Sequence, residues 1–66
     1  MVKENNVILY NDNRYVVVRM IKLYNINYAY LVNEVDDEDF FFGKFVNDKL
    51  IEVTDEKFIN LLIEKM

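Results

Sequence analysis

The chain contains no proline and a single glycine, Gly43. Its reversals of direction must therefore be made by other residues. Asn and Asp are the side chains that best tolerate left-handed backbone and bond locally to it. Four clusters of them occur: Asn11-Asp12-Asn13, Asn25-Ile26-Asn27, Asp36-Asp37-Glu38-Asp39 and Asn47-Asp48. They divide most of the chain into five short apolar segments, residues 7–10, 15–24, 28–35, 40–46 and 50–53, all rich in Val, Ile, Tyr and Phe. Such segments suit strands. Short connections between successive strands imply antiparallel pairing, because parallel strands need a long crossover.

The end of the chain has a different period. Apolar residues at Phe58, Ile59, Leu62, Ile63 and Met66 form one helical stripe. Thr54 reads as the N-cap, Asp55 and Glu56 favour the positive helix end, and Val53 with Phe58 fits a hydrophobic staple. The expected fold is therefore mainly β (α+β): a five-stranded antiparallel meander or SH3-like small barrel with one C-terminal helix. A single domain spans residues 1–66, with the helix at 55–65.

A turn centred on Ile26 would set Tyr24 opposite Tyr28, Lys22 opposite Tyr30 and Met20 opposite Val32. The other face of that hairpin would pair Leu23 with Ala29, Ile21 with Leu31, Arg19 with Asn33 and Val17 with Val35. This second face is the more aliphatic and is the expected core. Met20, Tyr24, Tyr28, Tyr30 and Val32 then form an outward face, a candidate interaction surface rich in residue types favoured at protein interfaces. The competing account is that the C-terminal helix covers it. The run Phe40-Phe41-Phe42 places rings on both faces of one strand, which suits a central strand with one face in the core and the other under the helix.

With 66 residues and ten aromatic rings, the chain relies on packing alone, since it has neither Cys for a disulfide nor His to help form a zinc site. The same absences, together with the lack of Ser, exclude catalysis by a Ser or Cys nucleophile paired with a His base. A phosphate-cradling loop is excluded by the lone glycine. No catalytic residue, cofactor or metal site is expected. The acidic run Glu34, Asp36, Asp37, Glu38, Asp39 lacks EF-hand spacing and reads as a solvated hairpin loop or an acidic protein-binding patch.

Charge is unevenly spread. Residues 1–33 carry four basic and two acidic side chains, and residues 34–66 carry four basic and ten acidic ones, giving the net charge of −4. An acidic half disfavours general nucleic-acid binding, which needs a net basic surface. The N-terminus turns polar at once, so no signal peptide is expected. No apolar run approaches the length of a membrane span. A cytoplasmic location is the resulting expectation.

The stretches Val7-Ile8-Leu9-Tyr10-Asn11-Asp12-Asn13-Arg14-Tyr15-Val16-Val17-Val18, Tyr28-Ala29-Tyr30-Leu31-Val32-Asn33 and Leu50-Ile51-Glu52-Val53-Thr54-Asp55 resemble short acidic proteins of low-GC Gram-positive bacteria and their phages or mobile elements. The resemblance implies a β-meander followed by a helix and supplies no functional residues. Residue chemistry and size point to a non-catalytic module whose partner is another protein or a second copy of the chain. The alternative is an acidic inhibitor whose carboxylates imitate nucleic-acid phosphates, and the blandest reading is an accessory protein without a separable activity.

Overall fold

The computed structural model describes residues 2–66. Five strands, β1 (Val7–Tyr10), β2 (Asn13–Leu23), β3 (Ile26–Asn33), β4 (Phe40–Val46) and β5 (Lys49–Val53), precede one helix, α1 (Glu56–Lys65). The strands form one antiparallel sheet in chain order, curled into a half-barrel. The fold is mostly β, as the alternation of apolar segments and Asn/Asp clusters predicts. No helix among the described residues is long and apolar enough to cross a membrane.

Three of the four hairpins close on two-residue turns: Asn11-Asp12, Tyr24-Asn25 and Asn47-Asp48. All six residues have left-handed backbone, with φ between 50° and 65°. Turns with positive φ at both central positions match the right-handed twist of the flanking strands. Here they are built without glycine.

The second of these turns corrects the expected register. It consists of Tyr24 and Asn25 rather than being centred on Ile26, so Leu23 faces Ile26, Ile21 faces Tyr28 and Arg19 faces Tyr30. A β-bulge at Val18 then shifts the pairing again, so that Val17 faces Leu31 and Val16 faces Val32. Together these changes redistribute the anticipated faces. Val17, Ala29 and Leu31 do line the core, but Ile21 and Arg19 point to the opposite face, and Val35 lies in a loop, 92% exposed. The reason is local: Tyr24, a bulky residue rarely found at positive φ, takes a position assigned to Asn alone.

Each face of the sheet has its own apolar layer. Inside the curl, Tyr15, Val17, Ala29, Leu31 and Phe41 form the buried cluster. Tyr10, Tyr15 and Phe41 close one end, with Phe41 ring centroids 5.0 Å from Tyr10 and 4.9 Å from Tyr15. Gly43 lies on this face opposite Ala29, and a Cβ there would stand 2.6 Å from Leu50 Cδ1. On the outer face α1 packs through Phe58, 4.9 Å from the Tyr28 ring, and through Leu62, which is completely buried. The division of the Phe40-Phe41-Phe42 rings between core and helix side is as expected, with Phe41 inside and Phe42 outside.

The helix start needs one correction. Asp55, not Thr54, is the N-cap, its carboxylate accepting from the Lys57 N–H at 3.0 Å. Phe58 is then the third helical residue, one position short of the staple, and it binds Tyr28 instead. Asp is as good a cap as Thr and brings a full negative charge to the helix end.

Two measurements test this packing. Leu62→Ala is expected to lower stability by about 2–5 kcal/mol, a large share of the total for a domain this small, as read from the midpoint of urea unfolding. Tyr24→Asn should act in the opposite direction, raising stability by up to about 1 kcal/mol, because Asn holds left-handed backbone with less strain and the Tyr24 ring, 77% exposed, has little packing to lose.

Candidate protein-binding surface

The five residues expected to share an outward face are split by the observed register. Tyr28, Tyr30 and Val32 lie on the outer face, Met20 turns toward the inner core, and Tyr24 stands at a hairpin tip. Tyr28 is buried under Phe58. Tyr30 and Val32 stay half-buried on a part of the face that the helix does not seal.

That part is defined by the strand register. Val7 faces Val16, Val16 faces Val32, and Val32 faces Phe40, which gives an unbroken apolar row across four strands. Its ends are open to solvent, Val7 at 41% and Phe40 at 53% exposure. The adjacent row runs through Arg19, Tyr30, Phe42 and Val53. Rings of Tyr30 stack near Phe42 at 5.0 Å and Phe40 at 5.8 Å. Against these rings the helix sets Ile63 and Met66, leaving a shallow groove of about 350 Å³ bordered by Arg19. A helix of ten residues is only about 15 Å long, and it leaves Ile63 itself 57% exposed.

The acidic run forms the neighbouring corner and is more ordered than a free solvated loop. Asp39 is half-buried, and its Oδ2 accepts from the Tyr15 hydroxyl at 2.7 Å and from Asn33 Nδ2 at 3.0 Å. Asn33 Oδ1 in turn accepts from the N–H groups of Val35 and Asp36, and Asp36 Oδ1 accepts from Glu38 N–H. Glu34 lies 3.5 Å from Arg14, an exposed pair of small energetic weight. Asp36, Asp37 and Glu38 remain exposed. No group of three or more metal-ligating side chains converges among the described residues.

The Tyr15 ring is buried in the core while its hydroxyl reaches this corner. Donation to the Asp39 carboxylate, reinforced by burial, raises the Tyr15 pKa above the ordinary value of 10.0. The sequence patterns missed this pair, and they missed Ile63 and Met66 as surface residues. Residues 15 and 39 are far apart in sequence, and a helical stripe does not show which of its members extends past the sheet.

Compared with known proteins, the chain matches no family model, no curated protein and no solved structure.

The Tyr15 contact predicts a loop effect. Tyr15→Phe keeps the ring but removes the hydroxyl, so amides of residues 34–39 should exchange with solvent faster while core strands stay protected. Because the folded pKa of Tyr15 is raised, its contribution to stability is present below about pH 10 and is lost as pH rises through the folded value. Tyr15→Phe should therefore flatten the alkaline limb of a stability–pH profile, measured by denaturant unfolding.

Proposed function

We propose that the chain is a non-catalytic interaction module that docks onto a protein partner through its outer face. The carrying observation is the apolar row of Val7, Val16, Val32 and Phe40, continuous with the aromatic groove and left open by α1. Aromatic and aliphatic side chains flanked by Arg have the composition of an interface centre. The amount of exposed surface agrees with this reading. The chain exposes 4977 Å², whereas a compact protein of its mass is expected to expose about 4,450 Å².

Imitation of nucleic-acid charge is supported less well by the geometry. Such a surface needs a stripe of free carboxylates, yet Asp39 points into the fold and Glu34 is paired with Arg14.

A photo-reactive phenylalanine analogue placed at Phe40 or at Ile63, in cells that naturally express the chain, is expected to cross-link to one defined protein, the chain itself included. The same group at Tyr24, an exposed turn position away from the row, is expected not to. Phe40→Asp should abolish the Ile63 adduct while leaving the circular dichroism spectrum unchanged. Equal capture from all three positions, or none, would remove this reading.

A further inference from the structure

β2 is longer than the chain that borders it on one side. β1 pairs with residues 13–16, and Asn5 and Asn6 extend the pairing to Val17. From Met20 to Leu23, β3 is the only strand paired with β2 among the described residues. The two-residue turn makes Leu23 and Ile26 a hydrogen-bonded pair, and alternation then turns the peptide groups of Met20 and Lys22 away from β3. One contact bears this out directly. The Met20 N–H donates not to β3 but to the Glu4 carboxylate, at 3.2 Å. Among the described residues, nothing outside the sheet bonds to the Lys22 backbone.

Two further features lie beside this edge. The inner core opens there into a cleft of about 630 Å³, lined chiefly by Val2, Ile8, Met20, Phe45 and Leu50, with Asp48 among its polar walls. Three exposed cations, Lys3, Arg19 and Lys22, have no carboxylate within 4.0 Å among the described residues, where the one ion pair is Arg14 with Glu34.

We propose that the edge of β2 from Met20 to Leu23 is a strand-addition site for an extended acidic peptide, and that Glu4 occupies it in the free chain. Main-chain hydrogen bonds supply the attachment in this mode, and alternate side chains supply the selectivity. Peptide residues facing inward lie beside Met20, which lines the cleft, and beside Lys22, whose charge favours a carboxylate. Residues facing outward lie beside Ile21 and Leu23, with Arg19 further along the same face. The Glu4 carboxylate accepts from the Met20 N–H that a peptide carbonyl would otherwise take, so binding requires the Glu4 side chain to move aside. The main-chain attachment at Met20 and Lys22 is separate from the outer-face row, although Arg19 also borders the aromatic groove.

The experiment is a titration of the full isotope-labelled chain with a capped heptapeptide alternating Glu and Val, followed by amide chemical shifts and hydrogen exchange. Shifts are expected at Met20 and Lys22, with new exchange protection at the Lys22 N–H. Glu4→Ala should tighten binding about three- to tenfold by freeing the Met20 N–H. Charge reversal of both Arg19 and Lys22 to Glu should weaken it about tenfold or more. Phe40→Asp should leave the new protection at the Lys22 N–H unchanged, which separates the main-chain attachment from the outer face. The proposal is overturned if a Lys–Val heptapeptide binds equally well, if Lys22 gains no protection, or if Glu4→Ala leaves the affinity unchanged.

Discussion

Left-handed backbone at six turn residues is the constraint on which the rest of the molecule depends. Asn11, Asp12, Tyr24, Asn25, Asn47 and Asp48 reverse the chain in three two-residue loops. A loop of two residues leaves no freedom in register. Each turn therefore decides which side chains of two strands face the core. Glycine would adopt these angles without strain but would give a more flexible unfolded chain. Asn and Asp adopt these angles at a small local penalty, so the meander is defined largely by residues that also stay soluble at its tips.

The second dependence is that a sheet of five strands carries apolar side chains on both faces. The curl buries the inner set against itself, which is how so short a chain forms a core around Val17, Leu31 and Phe41. The outer set needs a separate cover, and one helix supplies it in part, through Phe58 and Leu62 over Tyr28. What lies beyond the helix, from Val7 to Phe40, follows from arithmetic rather than from loose packing: the sheet is wider than ten helical residues can shield.

The elements were legible in the sequence because each rests on a local rule. Turn residues bounded the strands to within a few positions, and the stripe from Phe58 to Met66 located the helix. The pairing of β2 with β3 was not legible, for two reasons. Tyr24 adopts an angle that its side chain disfavours, held there by the strands on either side. The extra residue at Val18 leaves no mark in an all-valine stretch, Val16-Val17-Val18, where any of the three serves equally well. The candidate surface inherited that error. Tyr30 and Val32 were placed correctly, whereas Met20 and Tyr24 were not. Asp39 was hidden for another reason, since nothing in an acidic run tells which carboxylate a distant tyrosine will hold.

The bulge has an evolutionary consequence. Because side chains alternate with a period of two, the odd residue at Val18 exchanges inside for outside along the rest of β2. Above it, Tyr15 and Val17 point inward; below it, Met20 does. Deleting a single residue within Val16-Val17-Val18 would remove the bulge and leave the pairs Val17 with Leu31, Arg19 with Tyr30 and Met20 with Ala29 in regular alternation, each side chain on its present face. Conservative replacement among Val, Ile and Leu is therefore cheap in this stretch, and loss of one residue removes only the bend and extra twist that the bulge gives the strand. Lineages of such a chain should therefore vary freely in which aliphatic residues they carry here, and in whether the extra one is present.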